Sequence, residues 1–249
     1  MTDDRDDVLL EVTGLRKSYG DKVVLDDIDL TVRPHDVICL IGSSGSGKST
    51  LLRCLNLLED VDDGVILFEG REISDPRVDR REVRSRMGMV FQAYNLFPHM
   101  SVLANCTLAP RRVHGVPKAE AEERARELLA RFGLADQVDK HPDRMSGGQQ
   151  QRAALVRALC TRPTLLLLDE ITAALDPELV GEVLTIVREL AEQGTTMILA
   201  THEMAFARDI ASKVCFLDQG RILEHGPPSA IFSSPREDRT RQFLARVLG

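Results

Sequence analysis

Five short runs are apolar almost without interruption: DVICLIG at 36–42, MGMVF at 87–91, TLLLLD at 164–169, TTMILAT at 195–201 and KVCFLD at 213–218. A strand with one wet face alternates polar and apolar residues, and most of these do not. They predict strands of a parallel sheet covered by helices on both faces. VLLEVTGLRKSY at 8–19 and VVLDDIDLTV at 23–32 alternate more, and VILFEG follows at 65–70, which predicts a small antiparallel sheet. Between about 95 and 162 the period changes. In KAEAEERARELLARFGL, residues 118–134, Ala121, Ala125, Leu128, Leu129 and Phe132 share one helical face, with Pro117 near the start and Gly133 at the end. The expected architecture is one domain over residues 1–249. In it 1–94 and 163–249 form an α/β core with an N-terminal antiparallel β subdomain, and 95–162 form an inserted α-helical subdomain. RVDRREVRSR at 77–86 reads as a solvated charged face.

Composition narrows the setting. With 43% hydrophobic residues in 249, the chain can bury a core without cross-links. No apolar run reaches the roughly 20 residues of a membrane span. The acidic opening MTDDRDDVLLEV lacks the basic region of a signal peptide, so the chain is expected to remain on the cytoplasmic side. A net charge of -7 argues against non-specific nucleic-acid binding. Cys39, Cys54, Cys106, Cys160 and Cys215 are odd in number and scattered in apolar surroundings, as expected of reduced core residues.

GSSGSGKST matches G-x-x-x-x-G-K-[ST] and lies between a predicted strand and a helix with Leu51, Leu52, Leu55 and Leu58 on one stripe. Gly42, Ser43, Ser44, Gly45, Ser46, Gly47, Lys48, Ser49 and Thr50 would form a P-loop. Its backbone N–H groups would face the phosphates of ATP, with Lys48 neutralising charge and Ser49 offering a hydroxyl to Mg²⁺. Asp169, at the exit of the LLLL run, would hold the same metal. Glu170 points differently and could orient and deprotonate the attacking water. His202 closes the next strand and should reach the same sheet edge. Gln92 directly follows MGMVF, and its amide could touch metal or water and report nucleotide state to the helical segment.

MSGGQQQR raises a different question. Ser146 and Gln149 make an S-x-x-Q capping box, yet Gly147 and Gly148 occupy the first turn, where each costs about 1 kcal/mol relative to Ala. Two glycines there would leave N–H groups open to an anion, a second phosphate cradle within one chain. A dimer in which each copy completes the other's site is the simplest arrangement.

With these residues in order, the chain resembles the ATPase subunits of ABC transporters over essentially its whole length. The resemblance implies a P-loop (RecA-like) core, with Tyr19 stacking on adenine, Gln92 as the Q-loop residue, Asp176 in the D-loop and His202 as the switch histidine. It also implies a head-to-tail homodimer that sandwiches two ATP molecules between each P-loop and the partner's copy of the Ser146–Gln149 segment, driving integral membrane permease subunits from the cytoplasmic face. Three positions depart from the family pattern: Met145 for Leu, Ile171 for Pro and Ala173 for Ser. None removes a phosphate, metal or water ligand, and Ile171 is the one placed to alter the Glu170 backbone.

FQAYNLFPHMSVLANCTLAP, ALDPELVGEVL and ATHEMAFARDIA closely resemble the ATPases of bacterial importers for polar amino acids, which implies an extracytoplasmic amino-acid-binding protein as an indirect partner. Another transporter or extrusion complex is the alternative, and a soluble ABC ATPase on ribosomes or DNA a third reading. AYNLFPHM is apolar for a loop and is read as a groove for a membrane subunit's helix, against core packing.

Overall fold

The computed structural model describes residues 8–248; the acidic opening at 1–7 lies outside the described residues. The chain runs β1 (Leu10–Tyr19), β2 (Lys22–Val32), β3 (Val37–Ile41), α1 (Lys48–Leu55), β4 (Asp63–Phe68), β5 (Arg71–Glu72), α2 (Arg80–Arg86) and β6 (Met87–Val90). Three helices follow, α3 (Val102–Arg112), α4 (Lys118–Arg131) and α5 (Gly147–Leu159). The chain then passes through β7 (Leu165–Asp169), α6 (Pro177–Glu192), β8 (Met197–Ala200), α7 (Met204–Ile210), β9 (Lys213–Asp218), β10 (Arg221–Gly226), α8 (Pro228–Ser233) and α9 (Asp238–Leu248).

The central sheet has the order β10-β9-β3-β8-β7-β6, parallel throughout except for β10. Successive side chains of a strand point to opposite faces, and here both faces are dry. Cys39, Ile41, Leu166, Leu168, Leu199 and Phe216 face the core made with the later helices. Ile38, Leu40, Leu165, Leu167, Ile198 and Leu217 face a second core shared with α1 and the antiparallel sheet β2-β1-β4-β5. Two cores on one sheet explain why the strand sequences lack alternation.

The edge strand β10 is one of the elements that the apolar pattern misses. Its residues are alternately exposed and half-buried, and it pairs with β9 through a two-residue turn in which Gln219 and Gly220 both have positive φ, 49° and 80°. Such turns match the strand twist. Within RVDRREVRSR, residues 80–86 form α2, capped by Asp79, which accepts from the Arg81 N–H; its charged side chains face outward and Val83 is its one buried residue. In α4, Ala121, Ala125 and Leu129 are buried against α3 and α5, Phe132 follows them inward, and Gly133 ends the helix at φ 68°. All five cysteines are buried and free.

Candidate functional site

The loop after β3 is shaped by close backbone approach. Gly42 has φ 150°, and a Cβ there would sit 2.2 Å from the Leu217 carbonyl oxygen; at Gly47, φ 111°, it would sit 2.7 Å from Leu25 Cδ2. Any side chain at Gly42 would push β3 from β9. Lys48, the first residue of α1, is 3% exposed and donates from Nζ to Gly42 O (3.1 Å) and Ser43 O (3.2 Å), curling over its own loop. Ser46 Oγ is buried without a partner inside this loop. An orphan hydroxyl beside a buried ammonium fits an anion with several acceptor oxygens.

Ser49, one residue on, donates from Oγ to Asp169 Oδ1 at 2.6 Å across from the end of β7. Asp169 is buried, and burial pushes its carboxyl above the ordinary range; the Ser49 hydrogen bond and then the Arg53 charge pull the other way. A hydroxyl beside a carboxylate is a hard oxygen pair suited to Mg²⁺, which takes few protein ligands and completes its shell with water and phosphate. No cluster of three or more His, Cys, Asp or Glu that could hold a metal alone occurs among the described residues.

Glu170 leaves the sheet in the left-handed region, φ 46°, with its N–H bonded to Ala200 O at 3.0 Å on β8. A non-glycine residue in this conformation is uncommon and clusters at functional sites. The turn aims Oε1 at two groups, Lys48 Nζ at 3.4 Å and His202 Nε2 at 3.0 Å. Lys48, Glu170 and His202 thus stand in a row, from buried ammonium to half-exposed imidazole. Ile171 beside them is buried in the helix-side core.

A cavity of about 520 Å³ opens over Lys48 and Glu170, lined by Tyr19, Ser44, Gly45, Gly47, Lys48, Ser49, Thr50, Gln92 and Glu170, while Asp169 and His202 do not line it. Tyr19 is exposed at its edge, with Lys17 Nζ 5.0 Å from the ring centroid. Gln219 and Gly220 also line the cavity, and sequence reasoning missed them. Gly220 donates its N–H to Ser46 O at 3.1 Å, so the β9–β10 turn braces the P-loop. The Gln-Gly pair between KVCFLD and the alternating RILEHG was the available signal. A larger cavity of about 730 Å³, between α2 and the end of α3, contains none of these residues.

Ser146, Gly147, Gly148 and Gln149 do not line the 520 Å³ cavity. They start α5 with the full capping box: Ser146 Oγ accepts from Gln149 N–H at 3.3 Å and Gln149 Oε1 accepts from Ser146 N–H at 3.1 Å. The Gly147 and Gly148 N–H groups precede any intrahelical acceptor. A second cause for the glycines appears here. A Cβ on buried Gly148 would lie 3.1 Å from Leu179 Cδ1 on α6, and one on Gly147 would lie 2.9 Å from Tyr94 Oη. Tyr94 Oη donates to Ala174 O at 3.1 Å, and Asp176 begins α6 exposed, with no side-chain cap bond.

The segment after Gln92 is held down more than its composition suggests. Arg157 of α5 donates to Tyr94 O and Asn95 O, and Asn105 clasps the Phe97 backbone through its N–H and carbonyl. Tyr94 and Leu96 pack on the core, which leaves Phe97 as its one largely exposed large apolar side chain. The expected apolar patch is therefore small.

Comparison with known proteins follows the same lines. The ABC transporter family model matches residues 25–173. The chain is 48% identical to the glutamine transport ATP-binding protein GlnQ of Geobacillus stearothermophilus, covering 94% of this chain and 97% of that one. It is 51% identical to the L-cystine transport system ATP-binding protein TcyN of Escherichia coli, covering 96% and 98%. Among solved structures it superposes on cbiO1 of Clostridium perfringens, part of the ABC transporter complex cbiONQ, with TM-score 0.81 and 31% identity over 92% of each chain. It also superposes on a dimeric ATP-binding cassette bound to ADP and phosphate after hydrolysis, with TM-score 0.79 and 28% identity over 88% of this chain and 98% of that one. The chain belongs to the ABC transporter family and is one of its ATPases.

Proposed function

We propose that this ATPase works as a head-to-tail homodimer at the cytoplasmic face of a membrane, driving permease subunits that import a polar amino acid delivered by an extracytoplasmic binding protein. The observation that carries the dimer is the separation within one chain of two anion-suited elements: the cavity at Lys48, and the start of α5 with Asp176 beyond it. Each chain holds two halves of different sites. The transported class is supported by relatives named for glutamine and L-cystine transport that match this chain nearly end to end. Among the described residues no helix is long and apolar enough to cross a membrane, so solute passage falls to other subunits.

In this reading Tyr19 offers a flat face to adenine, with Lys17 behind it. The P-loop from Gly42 to Thr50 wraps the phosphates, Lys48 neutralises charge, and Ser49, Asp169 and Gln92 hold Mg²⁺. Bound there, Mg²⁺ supplies charge neutralisation on the terminal phosphates. Glu170 orients the attacking water and takes its proton; His202, in contact with Glu170, fixes the carboxylate and offers a donor beside the γ-phosphate. Ser146, Gly147, Gly148, Gln149 and Asp176 of one copy close on the nucleotide held by the other.

The test is a Glu170→Gln chain loaded with ATP and used as bait in membranes of its native cell. Recovery of a permease with an amino-acid-binding protein is the expected result. An exporter's membrane domain, or ribosomes, would overturn the transport assignment, and a variant that stays monomeric with ATP by light scattering would overturn the shared sites.

A further inference from the structure

The segment after Gln92 holds a strained centre that the proposed function does not use. Tyr94 and Asn95 both stand in the left-handed region, φ 48° and 52°, where a bulky residue is a genuine outlier. Such backbone persists only where its surroundings over-determine it, and it clusters at functional sites. Arg157, half-buried on α5, directs its guanidinium at Tyr94 O (3.2 Å) and at Asn95 O, and so pins both residues. The Tyr94 ring packs on the helix-side core.

The outcome of this strain is the placement of one hydroxyl. Tyr94 Oη donates to Ala174 O at 3.1 Å, 80 positions along the chain. It also lies against the first turn of α5, where Gly147 leaves it room: a Cβ there would come within 2.9 Å of Oη. Burial and then the Asp176 charge push the phenol above its ordinary value, so it remains a donor at neutral pH.

Ala174 belongs to the turn that leaves Glu170. Glu170 O accepts from Ala173 N–H at 3.0 Å, and Thr172 O from Leu175 N–H at 3.1 Å, before α6 begins. Ile171 and Thr172 are buried, but Ala173 and Ala174 are exposed. The Tyr94 bond therefore holds the exposed half of this turn to another element. On its own strand of chain, Tyr94 stands two residues from Gln92, which lines the 520 Å³ cavity.

We propose that Tyr94 is a positioning residue for ATP hydrolysis: through Ala174 its hydroxyl fixes the turn from which Glu170 reaches into the site, and Arg157 fixes Tyr94. Tyr94 does not line the cavity; it acts on the backbone that aims the carboxylate. This role rests on Glu170 acting as the base, as proposed above. Losing the hydroxyl misplaces the base without opening the nucleotide site, so it slows the chemical step and leaves ATP affinity alone.

Tyr94→Phe in the full chain deletes the hydroxyl and keeps the ring. The net worth of one hydrogen bond corresponds to about three- to tenfold in rate, so kcat should fall by that factor with KM for ATP and the urea midpoint unchanged. Arg157→Lys keeps the charge but replaces the fork with a single ammonium. It should lower kcat likewise, and the double variant should fall no further than the slower single one. Added to Glu170→Gln, Tyr94→Phe should leave ATP-driven dimerisation by light scattering unaltered. Unchanged kcat in Tyr94→Phe, a raised KM in place of a lowered kcat, multiplying losses in the double variant, or lost dimerisation would each overturn the role. If Glu170→Gln alone still hydrolyses ATP, the reading of Glu170 fails and takes this role with it. If Glu170→Gln alone stays monomeric, the shared sites fail, and kcat and KM of Tyr94→Phe still decide the role of the hydroxyl. They also decide it should Arg157→Lys not fold.

Discussion

In the proposed nucleotide site Glu170 and the phosphates would compete for the same ammonium, which makes Glu170→Gln informative about binding as well as hydrolysis. Lys48 Nζ lies 3.4 Å from Glu170 Oε1, with the side chains 3% and 18% exposed. At an effective dielectric near 20, unit charges at that separation attract by about 5 kcal/mol. Most of this is offset. Both groups lose hydration, His202 shares the carboxylate, and Lys48 keeps its bonds to Gly42 O and Ser43 O whatever stands at 170. We place the net competition at about 1 to 2 kcal/mol, below the 3 to 5 kcal/mol seen when one partner of a buried pair is removed with nothing to replace it. Every 1.4 kcal/mol is tenfold in affinity, so the variant should bind ATP roughly tenfold more tightly. The assay is calorimetric titration in EDTA, at protein concentrations where the chain is monomeric. With Mg²⁺ restored, loss of the proposed base should lower the hydrolysis rate by about 10² to 10⁴. Equal or weaker ATP binding by the variant would refute the competition.

The remaining predictions concern neighbouring positions. Gly148→Ala gains about 1 kcal/mol of helix propensity but forces Leu179 aside, an overpacking that costs about 1 to 3 kcal/mol, so urea denaturation should show a net loss of about 1 kcal/mol. That loss should vanish when Leu179 is also replaced by Ala; unchanged stability of the single variant would remove packing as the reason for the glycine. Asp169→Asn should stabilise the chain in EDTA at neutral pH while abolishing stabilisation by Mg²⁺ with nucleotide. The sign follows from burial, which raises the folded carboxyl above 3.8: the unfolded chain ionises first as pH rises, so the penalty grows through the folded value and is absent below the unfolded one. The gap between the two chains in chemical denaturation should therefore close as pH falls toward 3.8, and a gap independent of pH would contradict the assignment. Ile171→Pro should change ATP turnover by less than about threefold, roughly 0.7 kcal/mol of barrier, because Glu170 meets both Lys48 and His202 with Ile171 in place. A larger fall in a folded variant would show that residue 171 sets the Glu170 backbone.

What the sequence could disclose follows from which forces are local. The buried strands are legible because a strand dry on both faces needs no polar alternation, and the runs at 36–42 and 164–169 show none. β10 is not, because a half-exposed edge strand of six residues carries a weak pattern and its Gln-Gly turn is less distinctive than Asn-Gly. At the site, Asp169 closes β7 while Glu170 turns out of the sheet in the left-handed region, so the two carboxylates part through a backbone turn that the adjacent letters do not announce. The Lys48–Glu170 contact, the brace from Gly220 to Ser46 and the Tyr94 bond to Ala174 join residues 80 to 170 or so positions apart, and nothing local announces them.

The glycines at the start of α5 show where such reading overreaches. From sequence, their cost in a helix points to an anion because no other tenant is in view. The structure supplies another, since α6 packs so closely that Gly148 has little room for a methyl group whatever lies outside. Gly147 separates the two causes. Its nearest obstacle is the tip of Tyr94, which can yield at the cost of its bond to Ala174 O, rather than the body of a packed helix. A methyl group at 148 therefore reports on the fit of α5 against α6. One at 147 tests the proposed approach of a second copy to the N–H groups, so loss of ATP-driven dimerisation with a smaller loss of stability than in Gly148→Ala would tie the first turn of α5 to a ligand held by that copy.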